Sequence, residues 1–274
     1  MLKRFFSVKN HKASDLDTPR LGSRVPCLPE NMRLYAIGDI HGRADLLRQL
    51  LRVIEEDAQG LAPETQKILV FLGDYIDRGH ESREVLDLLL SGPLPGFLPH
   101  FIKGNHEEMM MLFLNDPTYG ITWCDYGGLE TLDSYGVTQS TLARHPMAYD
   151  AASEVLSAVL PPEHLSFLDT LETSLVIGDY LFVHAGIRPG LDLDAQQDRD
   201  MLWIRDRFLR SKENFGKIVV HGHTVEAKVQ ARKNRIGIDT GAFITDILTC
   251  LVLEGDTRRL LQTEARVSQP HQTA

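Results

Sequence analysis

The sequence predicts an α/β fold built around a buried, largely parallel sheet. Three times in succession, an apolar run is followed by a short polar loop and then by apolar residues at helical spacing. This order is typical of βαβ units, in which consecutive strands lie parallel. Residues that can bind metals or transfer protons follow the apolar runs directly. They therefore occupy the strand ends where open α/β sheets usually bind ligands.

The composition indicates a globular protein, since 43% of the 274 residues are hydrophobic and 24% are charged. The net charge of −9 argues against non-specific nucleic-acid binding, which usually needs a basic face. We therefore expect no nucleic-acid partner. Local arginines or metal ions can still attract an anionic substrate, because a site's own charge overrides the global balance.

The three cysteines, Cys27, Cys124 and Cys250, are far apart in the sequence. They form neither a CxxC pair nor a disulfide framework, which favours a reducing compartment, and we expect a cytoplasmic protein. No apolar run approaches the roughly 20 residues of a membrane span. The basic start also lacks the apolar centre of a secretory signal. We therefore expect no membrane-spanning segment.

The chain is predicted to divide into three segments. Residues 1–31 are polar, include three prolines and show no helical or strand period, so we expect a disordered leader. Residues 32–256 are expected to form one folded domain, and residues 257–274 a polar C-terminal tail. Within the domain, residues 116–171 predict a mostly helical insert. This insert either covers the site as a lid or packs as an outer layer.

The first strand–loop–helix unit begins with a predicted strand at 32–37. The loop Gly38-Asp39-Ile40-His41-Gly42 follows it and carries two candidate metal ligands, Asp39 and His41. Leucines and an isoleucine then recur at helical spacing over residues 46–54.

The second unit contains the residue to which we give most weight. A strand at 68–72 runs into Gly73-Asp74-Tyr75-Ile76-Asp77-Arg78-Gly79, and a helix follows around 85–89. The carboxylate of Asp74 has two oxygens, so it can bind one cation with each and join two metals. Asp77 and Arg78 lie within one turn of it, as acid–base support and as an anion clamp.

Three further strands also end in polar residues. A strand at 97–102 precedes Asn105 and His106, with a helix at 108–114. A hairpin at 174–183 leads to His184. The remaining predicted strands are one at 218–220 that precedes His221 and His223, a hairpin at 229–238 and a strand at 248–253.

Together these strand ends predict a centre for two metal ions. The sheet would bring carboxylate, imidazole and amide groups from five strand ends to one edge. These donors suit two borderline divalent ions of the Mn, Fe or Zn type. A purely structural zinc site would more often use cysteines.

The motifs resemble the signature of the metal-dependent phosphoprotein phosphatases, and most closely the bacterial and phage serine/threonine phosphatases. The matching motifs are GDIHG at 38–42, GDYIDRG at 73–79, GNHE at 104–107, HAG at 184–186 and GHT at 222–224. The resemblance covers about 34–253. It implies a metallophosphoesterase fold, a βαβ-containing sandwich of two mixed sheets flanked by helices, for the catalytic domain at 32–256.

The resemblance also implies individual roles. The first ion would be bound by Asp39, His41 and Asp74. The second would be bound by Asp74, Asn105, His184 and His223. His106, supported by Asp77, would be the general acid, and the phosphate would contact Arg78, Arg205 and Asn105. Since the GHT motif points to His223 as the ligand, His221 would have a supporting role.

The implied reaction is hydrolysis of a phosphate monoester. Two cations ~3.5–4 Å apart would lower the pKa of a shared water and offset the substrate's charge. The metal-bound hydroxide would attack phosphorus in line, while Arg78 and Arg205 hold the equatorial oxygens. His106 would protonate the leaving alkoxide.

Three functions are compatible with this site. The first is a protein phosphatase whose partner is a protein or peptide phosphorylated on serine, threonine or tyrosine. The second is a symmetrical dinucleoside tetraphosphatase, a group whose members tend to lack the counterparts of Asp77 and Thr224. The third is a scaffold that binds phosphorylated partners without turnover, which would be expected to lose His106, Arg78 or Asp74. The presence of these residues favours the protein phosphatase.

Overall fold

A computed structural model describes residues 21–138 and 148–264 of the chain. The described residues form two mixed five-stranded sheets flanked by helices, which confirms the predicted α/β fold class. The strands are β1 Met32–Ile37, β2 Gln66–Phe71, β3 Leu98–Phe101, β4 Ser174–Ile177, β5 Tyr180–Val183, β6 Ile218–His221, β7 Gln230–Ala231, β8 Arg235–Gly237, β9 Thr249–Glu254 and β10 Thr257–Gln262.

The helices cover the outer faces and include the insert. They are α1 Ala44–Asp57, α2 Ser82–Leu90, α3 Asn105–Asn115, α4 Gly120–Trp123, α5 Leu129–Ser134, α6 Ala148–Val159, α7 Pro162–Asp169, α8 Asp198–Trp203, α9 Asp206–Leu209 and α10 Ala242–Thr245. A π-helical turn at Cys124–Gly128 joins α4 to α5, and 3₁₀ turns lie at Pro117–Tyr119 and Leu193–Ala195. No helix in the described ranges is long and apolar enough to span a bilayer.

Each sheet has a parallel centre and antiparallel additions. The first has the order β10-β9-β1-β2-β3, in which β1, β2 and β3 run parallel and β9 runs antiparallel to β1. The second has the order β4-β5-β6-β8-β7, in which β5, β6 and β8 run parallel. The expectation that one sheet edge would collect all the ligands was therefore wrong, because the strands divide between two sheets.

Alternate residues of the central strands serve two different cores. In β1, Leu34 and Ala36 point into the core between the two sheets, where they meet Phe182 and Val220 of the second sheet. Tyr35 belongs instead to the core beneath the helices. Because strands packed on both faces expose no side chains to water, they appear in the sequence as continuous apolar runs.

The second half of the predicted leader packs on the domain. Leu21 and Leu28 are buried in the core between the sheets. Arg24 donates two hydrogen bonds to the Asp179 carboxylate, one of them with 2.7 Å between Nη2 and Oδ1. The prediction of disorder was wrong for residues 21–31, because isolated leucines between prolines show no period. Residues 1–20 lie outside the described residues.

The predicted C-terminal tail also begins too early. Thr257–Gln262 form the edge strand β10, which pairs antiparallel with β9 along its whole length. Its polar composition misled the prediction, since an edge strand has one open side and keeps its residues partly exposed. Residues 265–274 lie outside the described residues.

Candidate active site

The candidate site lies where the loops after β1, β2 and β3 meet those after β5 and β6. The backbone is strained there, because five of the seven described non-glycine residues with positive φ belong to these loops. These five residues are His41, Asp74, Asp77, Arg78 and His223. A left-handed conformation of a non-glycine residue costs about 1–3 kcal/mol and persists only where its surroundings hold it.

Glu107 holds the loop after β2 in this conformation. Its buried carboxylate accepts hydrogen bonds from the backbone amides of Asp74 at 2.9 Å, Tyr75 at 2.8 Å and Gly104 at 2.8 Å. A Cβ on Gly104 would lie 2.2 Å from Asp74 Oδ1, so only glycine allows this approach. Burial and the charge of Asp74 raise the pKa of Glu107 to about 7. Glu107 was not among the predicted site residues.

Asp74 lies at the centre of the predicted metal ligands. Its Oδ2 is 3.5 Å from His41 Nε2, and its Oδ1 is 3.3 Å from His184 Nε2. The Oδ1 of Asn105 lies 2.9 Å from His184 Nε2 and 2.8 Å from His223 Nδ1. Two groups of buried donors have ligand atoms within 4.8 Å of one another: His41 with Asp74 and His106, and Asp74 with His184 and His223.

Two of the histidines are held by backbone carbonyls. His41 donates its Nδ1–H to Ile76 at 3.0 Å, and His184 donates its Nδ1–H to Leu72 at 2.8 Å. Each bond fixes the tautomer and leaves Nε2 directed at Asp74, as in histidines that bind metals.

The protonation states mostly match those of metal ligands. Burial lowers the pKa of His41 well below its usual value, and burial with the charge of His184 lowers the pKa of His223 to about 2, so both rings are neutral. Burial disfavours ionised Asp74, but the charges of His184 and His106 outweigh it and lower its pKa. Burial lowers the pKa of His184, but the charge of Asp74 outweighs burial and raises the pKa to about 10. A bound cation would therefore displace the ring proton.

The surroundings of the Asp39 carboxylate fit a bound cation. Its Oδ2 accepts a hydrogen bond from the His223 amide at 2.9 Å, whereas its buried Oδ1 has no partner among the described residues. Burial and the charge of Asp239 raise the pKa of Asp39 well above its usual value. A buried carboxylate oxygen without a partner is costly unless a cation balances it. With imidazole and amide donors nearby, the residues fit two divalent ions.

His106 and Asp77 form a buried pair beside the predicted metal ligands. His106 Nδ1 donates to Asp77 Oδ2 at 2.7 Å, which leaves Nε2 facing the site. Asp77 is held in turn by Trp123 Nε1 at 2.9 Å and Thr131 Oγ1 at 2.6 Å. Trp123 and Thr131 belong to the insert, so the insert packs against the domain and also orients a site residue. Neither residue was predicted, because they lie 46 and 54 residues from Asp77 in the sequence.

The two predicted phosphate arginines differ in their placement. The Arg78 guanidinium lies 3.0 Å from His41 Nε2, 3.1 Å from His106 Nε2 and 4.7 Å from the Phe243 ring centre. Its backbone amide donates to the Gly127 carbonyl of the π-helical turn at 3.0 Å. Arg205 is exposed between α8 and α9, and its positive charge helps to lower the pKa of His223.

His221 lies apart from both groups of donors. Its ring packs edge-on against Phe208 at 5.1 Å, and its Nδ1–H donates to the Gly222 carbonyl at 3.1 Å. Of the two histidines between which the sequence left a choice, His223 is the one that the structure places against Asn105 and His184.

Several known proteins resemble this chain. Serine/threonine-protein phosphatase 2 of Salmonella typhimurium is 31% identical over 224 residues, which cover 79% of this chain and 90% of that protein. A symmetrical bis(5'-nucleosyl)-tetraphosphatase of Methylococcus capsulatus is 28% identical over 169 residues, 61% of this chain and 48% of that protein.

A solved structure shares the fold. The cold-active protein-tyrosine phosphatase of a psychrophilic Shewanella species is 20% identical, with a TM-score of 0.55 over 88% of this chain and 85% of that one. The sequence profile of the calcineurin-like phosphoesterases matches residues 32–239, which include the predicted metal ligands and the candidate proton donor. The chain therefore belongs to the calcineurin-like phosphoesterase family, as a hydrolase with His and Asp clusters suited to divalent metal ions.

Proposed function

We propose that the chain is a phosphomonoesterase that removes phosphate from phosphoserine and phosphothreonine in proteins. The observation that carries this proposal is the His106–Asp77 pair, at 2.7 Å, beside the predicted metal ligands. A serine or threonine alkoxide is a poor leaving group and needs a proton as its bond to phosphorus breaks. Phosphotyrosine is a further substrate of this class, with a better leaving group.

The metal centre would lie at the two groups of buried donors that share Asp74. Asp39, His41 and Asp74 would hold one ion, and the second would be held by Asp74, Asn105, His184 and His223. Bound divalent ions, of which Mn is our choice for assays and Fe or Zn are alternatives, would supply charge neutralisation and a lowered pKa for water.

The chain's own groups would then position and protonate the substrate. Arg78 would direct N–H donors toward the phosphate oxygens, and such charge-assisted bonds fix oxygens firmly. Asn105 would add a polar contact, and Arg205 would reach the phosphate from the exposed rim. His106 would give the leaving oxygen its Nε2 proton, while Asp77 stabilises the ring in its charged form.

A symmetrical dinucleoside tetraphosphatase is the second candidate. Relatives of that name match part of this chain. The rim also offers aromatic surface for a base, because the exposed Tyr126 ring lies 6.2 Å from Trp203. In dinucleoside tetraphosphate hydrolysis the leaving group is a nucleotide phosphate, which needs less help from a proton donor than an alkoxide does. The buried, multiply held Asp77 therefore favours the monoesterase.

A hydrolysis panel with Mn²⁺ separates the two candidates, with phosphate release measured for the peptides and nucleotide products measured by chromatography for the dinucleotide. It would compare phosphoserine and phosphothreonine peptides with diadenosine tetraphosphate at equal concentrations. We expect a higher kcat/KM for the peptides. A higher kcat/KM for the dinucleotide, with two identical nucleotide products, would replace the proposed function by the second candidate.

A further inference from the structure

Asp239 lies two residues beyond the end of β8 in the second sheet. A Cβ on Gly38, after β1, would lie 2.8 Å from the Ile238 carbonyl, so the two chain segments meet with no room for a side chain. Asp39 and Asp239 are the next residue in each segment. The close approach of the two sheets therefore brings two acidic residues into the same buried region.

The Asp239 carboxylate has one satisfied and one unsatisfied oxygen. Its Oδ1 accepts a hydrogen bond from the Gly241 amide at 2.9 Å. Its Oδ2 is buried and has no partner among the described residues, as is true of Asp39 Oδ1. An unpaired buried acceptor is destabilising, and more so if charged, so this arrangement opposes folding unless something offsets it.

The nearby arginines lie against other groups. The guanidinium of Arg78 lies within hydrogen-bonding distance of His41 and His106. That of Arg43 donates to Asp45 and to the Ala242 carbonyl. Asp39 and Asp239 share one buried region, and two ionised carboxylates placed there repel each other. His184 and Arg78 also act on Asp239 through their charges, but neither donates a hydrogen bond to its Oδ2.

We propose that Asp239 is a further acidic residue of the metal centre, whose free Oδ2 strengthens binding of the ion held by Asp39 and His41. Repulsion between the two carboxylates then becomes attraction to a shared cation. Replacing Asp239 should weaken binding of that ion and leave the ion between His184 and His223 largely unaffected. This inference rests on the metal centre of the proposed function and not on its substrate.

The test is Mn²⁺ binding by calorimetry to the full-length chain carrying Asp239→Asn. Asparagine keeps the acceptor for the Gly241 amide and removes only the charge. We expect roughly 10–100-fold weaker binding of one ion, the loss typical of residues that support a metal site. We also expect the chelated variant to melt no lower than the chelated wild type, since a repulsion has been removed.

A matched control is Asp179→Asn, a buried aspartate that pairs with Arg24 outside the site. We expect it to melt lower with unchanged Mn²⁺ affinity. Unchanged affinity in Asp239→Asn would overturn the proposal, as would weaker affinity accompanied by a lower melting temperature of the chelated variant. Two bound ions without phosphate release would contradict only the proposed function.

Discussion

At the scale of single residues, the site depends on side chains that face more than one partner. Asp74 is within 3.5 Å of His41 and within 3.3 Å of His184. A carboxylate in this position can serve two cations at once, and losing its charge affects both.

The first prediction concerns Asp74. Asp74→Asn should abolish nearly all turnover and weaken the binding of at least one ion, because an amide offers one neutral oxygen in place of two charged ones. Metal content after dialysis and turnover on a phosphopeptide check this. Two tightly held ions together with normal turnover would refute the assignment of Asp74 as the bridge.

The second prediction separates proton donation from metal binding. The turnover of His106→Asn on a phosphoserine peptide should fall roughly 10²–10⁴-fold. Its turnover on nitrophenyl phosphate should fall much less, because that leaving group hardly needs a proton. Asp77→Asn should show the same bias in milder form. The measurement is the ratio of mutant to wild-type turnover on each substrate at fixed pH.

Metal content is the control for this second prediction, because His106 also lies in the group with His41 and Asp74. We expect both ions to remain. Equal losses on the two substrates, with chemistry rate-limiting, would mean that His106 does not donate the proton. Loss of an ion would make it a ligand.

The residues that approach the centre could be predicted because their chemistry shows in the sequence. Asp, Asn and His directly after apolar runs are visible as short motifs. The residues that orient them could not be predicted in the same way. Trp123 and Thr131 reach Asp77 through tertiary packing, and neither residue type is unusual for a helical core.

At the scale of elements, the loop after β2 is shaped by the start of α3. This helix begins at Asn105, three residues before the predicted start at 108, so Asn105 and His106 lie in its first turn. Glu107 lies in the same turn and binds backbone amides of the facing loop.

The third prediction concerns this contact. Glu107→Gln should lower the free energy of unfolding by about 1–3 kcal/mol, because its new amide N–H groups would face backbone donors. Thermal melting measures the change. Glu163→Gln, on the exposed start of α7, is the matched control and should leave the melting temperature almost unchanged. Equal melting temperatures of the two variants would show that Glu107 does not hold the loop.

The fourth prediction concerns the N-terminal segment. Removing residues 1–20 should leave activity on small phosphoesters within about twofold and barely change melting, as is usual for polar termini. Removing residues 1–30 should lower the melting temperature clearly, since burial of a leucine such as Leu21 or Leu28 is worth about 1.5–3 kcal/mol. Identical melting of the two truncations would contradict the packing of residues 21–30.

At the scale of the whole molecule, the site exists because two sheets end at the same place. β1, β2 and β3 bring Asp39, Asp74 and Asn105 from one sheet, and β5 and β6 bring His184 and His223 from the other. The sequence predicted the strands but not their division, because the apolar runs of both sheets look alike. Pairing is decided by long-range contacts that local patterns do not record.

We propose above all that two divalent ions at this junction enable phosphomonoester hydrolysis. The most direct test is phosphate release from a phosphoserine peptide by chelated full-length protein as Mn²⁺ is added back. We expect no release at the start and a rise that reaches its plateau at two Mn²⁺ per chain. Full activity in the chelated protein, or none with both sites filled, would contradict the proposal.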